Sequence, residues 1–363
     1  MKKLKLLNVV GARPNLIKIA PLIREMKRNS DRIHHRLVHT GQHYDENMSE
    51  IFFKELEIQE PDYYLEVGSG SHAVQTANIM IKFEKVCIEE KPDWVIVVGD
   101  VNSTLACTLV AKKIGINVAH IEAGLRSFDM SMPEEINRKV TDSISDLLFT
   151  PSEDANENLK NEGVHQDKIK LVGNIMIDSI VSNLEKLDFN KPFLKMGLKE
   201  KDFIYVTLHR PSNVDKADTL KSILENLSVI SNKIPIVFPV HPRTKSNIEK
   251  FGLQEILTQS KGINTIEPAS YLESISYAKY AKLVVTDSGG LQEETTFLGT
   301  ECLTLRPNSE RPVTISHGTN KLTKVENLFE DIEAILSGNC IKQRSEIPFW
   351  DGKTSARIVD AFL

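Results

Sequence analysis

Three carboxylic side chains stand at positions from which they could act together in acid–base chemistry. Asp100 follows the apolar run 94–98, Glu122 lies where another apolar run gives way to a glycine turn, and Glu134 begins a helix-like segment. Carboxylates in different environments around one ligand are the usual means of general acid and base catalysis. Taken singly, Asp100 could be a helix N-cap and Glu134 a first-turn acid favoured by the helix dipole. Three acids at one sheet edge favour a catalytic site.

A glycine turn late in the chain has the composition of a phosphate site. An apolar run ends at Ser288-Gly289-Gly290, and a helix-like segment follows. Glycines let the backbone approach a ligand closely, and the new helix directs free N–H groups and a positive dipole end towards it. Glu294, one turn further on, could accept hydrogen bonds from ribose or sugar hydroxyls. The same residues would also form an ordinary strand–turn–helix connection. A dinucleotide fingerprint would instead be expected in the first βα turn.

Cationic and polar side chains follow several other predicted strands. Arg13 and Lys18 come after the first strand, and Gln42 lies in the polar segment after the second. In the second half of the chain the corresponding residues are His209, Arg210, His241 and Arg311. Ligands of open α/β folds bind at the carboxyl edge of the sheet, so these side chains could hold a diphosphate. Solvated basic residues and structural histidines are the alternative interpretation.

Short apolar runs alternate with amphipathic segments along the whole chain, which predicts an α/β protein with two Rossmann-like domains facing across a cleft. The predicted strands are 4–10, 35–40, 94–98, 117–121, 147–150, 169–172, 203–207, 234–239, 264–267, 283–286 and 301–305. We expect the first domain, with the acids, at residues 1–174 and the second, with the anion site, at 175–350. Residues 351–363 are expected to form a helix that packs back on the first domain.

Composition excludes several classes of protein. The chain has 363 residues, of which 40% are hydrophobic and 26% charged, as in an ordinary globular protein. The net charge of −5 argues against nucleic-acid binding, and no apolar stretch approaches membrane-spanning length. No HxxEH, CxxC or acidic triple at ligand spacing predicts a metal site. The four cysteines are widely spaced and are expected to be reduced core thiols of a cytoplasmic protein: Cys87, Cys107, Cys302 and Cys340.

Eight ordered segments resemble the non-hydrolysing UDP-N-acetylglucosamine 2-epimerases over essentially the whole chain. They are GARPNLIKIAPL, HTGQHYD, VVGDVNST, AHIEAGLRSFDMSMPEEINR, VTLHRPSNVD, PVHPRT, TDSGGLQEE and SERP. The resemblance implies a two-domain fold similar to the GT-B glycosyltransferases and the interconversion of UDP-N-acetylglucosamine (UDP-GlcNAc) and UDP-N-acetylmannosamine (UDP-ManNAc). It also implies a cytoplasmic homodimer that needs no cofactor and supplies mannosamine for cell-envelope polysaccharides.

The resemblance assigns roles residue by residue. The catalytic positions of the family match Asp100, Glu122, Glu134 and His209. Its substrate-binding positions match Arg13, Lys18, Ser288, Gly289, Gly290, Glu294 and Arg311. The activating UDP-GlcNAc site of some bacterial members matches Gln42, Arg210 and His241. The chain departs from the family pattern at Asn15, where many members have Glu, at Ser274, where an aromatic often lies against uracil, at Asp45, and at Pro211-Ser212-Asn213.

The implied chemistry accounts for this set of residues. The C2 proton of the sugar is not next to a carbonyl, so it becomes acidic only if the C1–O bond to UDP breaks first or concurrently. Elimination to 2-acetamidoglucal and re-addition then need carboxylates around the ring and cations for the diphosphate. Four alternatives stay open: a 2-epimerase of another UDP-2-acetamido sugar, a hydrolysing 2-epimerase, a GT-B glycosyltransferase, and a non-catalytic nucleotide-sugar-binding module.

Overall fold

The computed structural model describes residues 2–42, 53, 56–338 and 345–363, with the side chain of Arg13 excepted. The chain divides into two compact units. The first comprises Met1–Ser182 with Pro348–Leu363, and the second comprises Asn183–Ile347. Each unit contains one parallel sheet with helices between its strands, so the predicted α/β class is confirmed.

The first unit contains a seven-stranded parallel sheet in the order β3-β2-β1-β4-β5-β6-β7. Its strands are β1 (Leu4–Val10), β2 (Ile33–His39), β3 (Tyr63–Tyr64), β4 (Trp94–Val98), β5 (Asn117–Ile121), β6 (Leu147–Thr150) and β7 (Ile169–Leu171). The central strands are continuous apolar runs because helices cover both faces of a parallel sheet. Strand β1 pairs with β2 on one side and with β4 on the other, which places β1 and β4 at the centre.

Seven helices are described in the first unit. They are α1 (Arg13–Arg28), α2 (His72–Glu90), α3 (Asn102–Lys113), α4 (Pro133–Ile144), α5 (Glu153–Asn161), α6 (Ile175–Val181) and, at the end of the chain, α16 (Thr354–Asp360), with a 3-10 turn at Gln166–Lys168. Helix α2 begins at Ser71, whose side chain accepts a hydrogen bond from the Val74 N–H at 3.3 Å. Its inner face packs Ile79 and Phe83 into the core under the sheet.

The second unit repeats the architecture with a six-stranded parallel sheet in the order β10-β9-β8-β11-β12-β13. Its strands are β8 (Ile204–Thr207), β9 (Ile236–Pro239), β10 (Ile263–Ile266), β11 (Leu283–Thr286), β12 (Glu301–Leu305) and β13 (Asn320–Thr323). Its helices are α7 (Leu184–Phe189), α8 (Pro211–Val214), α9 (Ala217–Ser231), α10 (Pro242–Lys250), α11 (Gln254–Gln259), α12 (Tyr271–Tyr280), α13 (Gly289–Leu298), α14 (Val313–Ser316) and α15 (Leu328–Leu336), with 3-10 turns at Pro192–Met196 and Val325–Asn327.

Helix α6 belongs to the first compact unit, which continues to Ser182, whereas the sequence predicts a domain boundary at 174/175. It packs against α1, and Asp178 within it accepts the N–H groups of Thr354 and Ser355 at 3.0 and 2.7 Å. These bonds cap the first turn of α16 and tie the end of the chain to α6. The return to the first unit comes at Pro348, earlier than predicted, and the Trp350 indole donates to the Pro151 carbonyl at 3.0 Å.

Two strands were not predicted. Strand β3 has only two residues, and β13 has the polar sequence Asn-Lys-Leu-Thr, so neither shows an apolar run.

The cysteines that the structure describes, Cys87, Cys107 and Cys302, are free and buried, and burial raises the pKa of the Cys302 thiol to about 11. Among the described helices, none is long and apolar enough to cross a membrane.

Candidate active site

The candidate residues lie near the centre of each sheet, at the point where the chain stops adding strands on one side and begins to add them on the other. This reversal lies between β1 and β4 in the first unit and between β8 and β11 in the second. Open α/β sheets bind ligands outside the carboxyl ends of the strands at such a point. The turns that leave these four strands carry Arg13, Asp100, His209 and Ser288.

Glu122 is buried beyond the end of β5, and its side chain forms an ion pair with Lys18 of α1. Its backbone has a φ of 69°, the left-handed region that is costly for a residue with a side chain. Oε2 contacts Lys18 Nζ, whereas Oε1 accepts no hydrogen bond from any residue that the structure describes. A buried carboxylate with one oxygen unused and a strained backbone has the features of a functional group.

Gly99 and Asn15 complete the surroundings of this ion pair. A Cβ added at Gly99 would lie 3.5 Å from Lys18 Nζ and 3.6 Å from Glu122 Oε2. Asn15 holds the turn after β1, because its Oδ1 accepts the Gly11 and Ala12 N–H groups at 3.3 and 3.0 Å. Its Nδ2 donates to the Val98 carbonyl at 3.1 Å. The side-chain amide therefore links the turns that follow β1 and β4.

Asp100 follows β4 and is held by two neighbouring residues of α4. Arg138 forms an ion pair with the Asp100 carboxylate, and Asn137 Nδ2 donates to the Asp100 carbonyl at 2.8 Å. Arg138 is itself buried and also contacts Glu135 at 2.6 Å. Burial opposes ionisation of Glu135, but the Ser127 N–H and the Arg138 guanidinium outweigh it and lower its pKa. Arg138 thus bridges two carboxylates and fixes the position of Asp100.

Glu134 is exposed at the start of α4 and lines a cavity of about 320 Å³ together with Asp100. Gln42 and His72 lie on the wall of the same cavity, whose other polar lining residues are Ser69, Gln75, Asn102 and Asn137. The Gln42 side-chain oxygen accepts from the Ser103 hydroxyl at 2.8 Å and from its N–H at 3.1 Å. Two of the three predicted acids therefore share one polar cavity.

In the second unit, His209 leaves the end of β8 and pairs with a buried carboxylate after β11. His209 Nδ1 lies 3.0 Å from Asp287 Oδ1. The Asp287 carboxylate also accepts the backbone N–H groups of His209 and Arg210 at 3.0 and 2.9 Å and Asn213 Nδ2 at 3.1 Å. Although burial opposes ionisation, the contact with His209 and these donors lower the pKa of Asp287.

The Ser288-Gly289-Gly290 turn begins α13, with Ser288 as the N-cap residue. A side chain at Gly289 would collide with Arg311, since an added Cβ would lie 2.7 Å from its Nη1. Arg311 contacts Glu310 at 2.5 Å and Glu293 at 2.9 Å. Burial opposes ionisation of Glu310, but the charges of Arg311 and Arg306 hold its pKa far below its ordinary value. The glycine turn and an arginine–carboxylate cluster are therefore adjacent.

The other predicted residues of the second unit lie nearby. Glu294 is buried on α13, and His241 is the N-cap residue of α10. The rings of His209 and His241 have centroids 5.6 Å apart. Arg210 contributes its backbone N–H to Asp287. The Arg13 side chain and Asp45 lie outside the described part of the chain.

Several supporting residues were not predicted from the sequence. They are Arg138, Asp287, and the pair His120 and Asp142, in which the His120 ring lies 2.6 Å from Asp142 and 2.8 Å from the Gly99 carbonyl. Only weak signals could have identified them, such as the position of Arg138 one helical turn after Glu134. No cluster of metal-binding side chains occurs among the residues that the structure describes.

The chain is similar to known proteins over its whole length. A family model described as UDP-N-acetylglucosamine 2-epimerase matches residues 24–363. A UDP-N-acetylglucosamine 2-epimerase of Methanocaldococcus jannaschii is 45% identical over 363 residues, with 98% of each chain covered. A UDP-2,3-diacetamido-2,3-dideoxy-D-glucuronate 2-epimerase of Pseudomonas aeruginosa is 41% identical, covering 98% of this chain and 99% of the other. The crystal structure of the M. jannaschii UDP-GlcNAc 2-epimerase in complex with UDP-GlcNAc and UDP matches with a TM-score of 0.89 at 43% identity, covering 99% of each chain.

Proposed function

The chain belongs to the UDP-N-acetylglucosamine 2-epimerase family, a family of isomerases, and we propose that it interconverts UDP-GlcNAc and UDP-ManNAc. The observation that carries the proposal is the set of carboxylates at the carboxyl edge of the first sheet. Glu122 is paired with Lys18, Asp100 is paired with Arg138, and Glu134 shares a cavity with Asp100. A protein that only bound or transferred the nucleotide sugar would not require this set.

The proposed reaction is an elimination followed by re-addition. The C1–O bond breaks and its electron pair goes to the diphosphate, while a carboxylate takes the C2 proton and a C1–C2 double bond forms. UDP then adds back to 2-acetamidoglucal as a proton returns to the other face of C2. Asp100, Glu122 and Glu134 are the groups that remove and return this proton. Glu122 suits a direct role because its Oε1 is buried without a partner among the described residues.

The second unit neutralises the departing diphosphate in this proposal. The N–H groups of Gly289 and Gly290 at the start of α13 and the Arg311 guanidinium bind phosphate oxygens. His209 donates from Nε2 to the same group, since its Nδ1 is turned to Asp287. Glu294 accepts hydrogen bonds from the ribose hydroxyls, while Arg13 and Lys18 supply further positive charge. Stabilising charge that develops only in the transition state is what accelerates such a step.

We also propose an activating site, a cellular role and an assembly for the enzyme. Gln42, Arg210 and His241 would bind a second UDP-GlcNAc molecule, in which case trace UDP-GlcNAc would accelerate the reaction of UDP-ManNAc. The product would serve cell-envelope polysaccharide synthesis in the cytoplasm, and the enzyme would be a homodimer without a cofactor.

One other substrate is supported by a specific observation, the 41% identity to the P. aeruginosa enzyme named for UDP-2,3-diacetamido-2,3-dideoxy-D-glucuronate. An NMR time course with each nucleotide sugar alone distinguishes the candidates. We expect UDP-GlcNAc to reach an equilibrium mixture with UDP-ManNAc. If only the diacetamido uronate is converted, that nucleotide sugar and not UDP-GlcNAc is the substrate. Release of free ManNAc with UDP would show a hydrolysing enzyme, and no change in either sugar would defeat the proposal.

A further inference from the structure

His209 and His241 lie side by side in the second unit, but their hydrogen bonds give them opposite polarity. His209 Nδ1 is 3.0 Å from the Asp287 carboxylate, an acceptor, so this nitrogen carries the proton. His241 Nδ1 accepts the Arg243 backbone N–H at 3.2 Å, so its proton lies on Nε2 when the ring is neutral. The two neutral rings are therefore opposite tautomers, with centroids 5.6 Å apart.

Asp287 is built to hold one ring in one orientation. Its carboxylate is fully buried and receives donors from the histidine ring, two backbone N–H groups and the Asn213 amide. Asn213 is fixed in turn by donating to the Leu305 carbonyl at 3.0 Å. Carboxylates with several fixed donors remain ionised and cannot rotate freely. The turn after β8 and the turn before α13 are thus joined by a single side chain.

We propose that Asp287 is a positioning residue that fixes the tautomer of His209, so that Nε2 is the ring nitrogen available to the diphosphate. When Nε2 also carries a proton, it can donate to the departing UDP oxygen while the positive ring stays paired with Asp287. The proton stays on Nε2 in this hydrogen bond and is not transferred, so the histidine is unchanged when UDP adds back. The buried carboxylate serves as the counter-charge, as in other aspartate–histidine pairs.

The polarity of His241 adds a second element to this arrangement. In its neutral form His241 can only donate from Nε2, whereas neutral His209 can only accept there. A phosphate oxygen needs donors, which the neutral His241 tautomer offers at Nε2 and the neutral His209 tautomer does not. His209 can donate to phosphate only when it carries a second ring proton, so His209, rather than His241, is suited to the negative charge that appears as the C1–O bond breaks. The inference rests on the proposed function for its ligand but not for its tautomers.

The tautomers can be measured directly by long-range ¹⁵N–¹H spectroscopy of the histidine rings in the protein without substrate. The chain has ten histidines, and the spectra of His209→Gln and His241→Gln identify the two that matter. In the neutral rings we expect His209 to carry its proton on Nδ1 and His241 to carry its proton on Nε2. A neutral His209 protonated at Nε2 would overturn the inference. This measurement of the two tautomers needs no substitution at Asp287.

Substitution of the carboxylate tests the consequence for catalysis. Asp287→Asn keeps the shape but can donate to Nδ1, so we expect His209 to change to the Nε2–H tautomer and kcat to fall about a hundredfold. The affinity for UDP should change by less than about threefold, because the backbone and Arg311 contacts remain. An unchanged tautomer together with an unchanged kcat would contradict the proposal.

Asp178→Asn is the matched control. Asp178 is also buried and accepts three hydrogen bonds, from Thr354 N–H and from the N–H and hydroxyl of Ser355, but it serves only to cap α16. We expect a lower melting temperature with kcat unchanged below it. If Asp178→Asn lowers kcat as much as Asp287→Asn, the effect of Asp287 is structural. A wild-type protein that epimerises no sugar yet shows the expected tautomers would defeat the proposed function alone.

Discussion

The two units use the same sheet edge with opposite charge arrangements. In the first unit the Asp100 side chain is 29% exposed and its partner Arg138 only 2%, so the acid faces outwards and the cation supports it. In the second unit the His209 side chain is 41% exposed and its partner Asp287 is fully buried, so the base faces outwards. The same fold can therefore expose either a negative or a positive side chain at the carboxyl ends of its central strands, depending on which member of the ion pair is buried. The first arrangement suits proton transfer, and the second suits anion binding.

The largest effect should follow from removing the acids of the first unit. We expect Asp100→Asn, Glu122→Gln and Glu134→Gln each to lower kcat at least about a hundredfold, roughly 2.7 kcal/mol, the scale of a lost acid–base group. Initial rates by NMR or a coupled UDP-ManNAc assay measure this. Glu157→Gln, which removes an exposed carboxylate of α5 in the same unit, should keep wild-type turnover. Near wild-type kcat in all three acid variants would make the cluster structural.

The cations of the second unit should affect binding rather than proton transfer. Arg311→Ala and His209→Ala should each weaken UDP binding roughly tenfold, about 1.4 kcal/mol, because each removes a charge-assisted contact with phosphate. Isothermal calorimetry with UDP measures the loss, and Arg311→Lys should restore part of it. Lys233→Ala removes an exposed cation of the same unit and should bind UDP normally. Unchanged affinity for UDP in both test variants would contradict the assignment of diphosphate binding to the second unit.

The smallest effect concerns stability at acid pH. Although burial opposes its ionisation, the charges of Arg311 and Arg306 hold the pKa of Glu310 far below its ordinary value of about 4.5. Its ion pairs therefore stabilise the folded state fully above about pH 4.5, and this stabilisation is lost progressively as the pH falls further. Glu310→Gln should therefore lower the melting temperature at neutral pH, and the difference from wild type should shrink below about pH 4.5. Calorimetric scans between about pH 7 and about pH 3 test this. A constant difference across the range would show that the charge of Glu310 contributes nothing.

Most of the fold was readable from the sequence because parallel strands are buried on both faces and appear as apolar runs. The strands at the centre of each sheet, β1, β4, β8 and β11, were predicted to within one residue of their observed ends. Strand β13 was not, because Asn-Lys-Leu-Thr lies at a sheet edge and needs little apolar surface. The predicted boundary at 174/175 falls before α6, because nothing local in the sequence shows that Asp178 joins this helix to Thr354 and Ser355 of the first unit.

The site was predictable only in part, for a related reason. The candidate ligand-binding residues stand at strand ends next to glycines, and this pattern indicated Asp100, Glu122 and Ser288. Their supporting partners are set by tertiary contacts: Arg138 lies 38 residues from Asp100, and Asp287 is 78 residues from His209. Such pairs have no local sequence signal, so whether an acid or a base faces outwards could not be read before the fold was known.

The proposed elimination and re-addition require the C2–H bond of the sugar to break in every turnover, and reaction in D₂O shows whether it does. A proton taken by an enzyme carboxylate exchanges with solvent, so UDP-GlcNAc incubated with the enzyme in D₂O should give UDP-ManNAc deuterated at C2. The H2 signal in the ¹H NMR spectrum should disappear from the product as it forms. Inversion at C2 with full retention of the original hydrogen would contradict the account, because elimination and re-addition through 2-acetamidoglucal cannot preserve it.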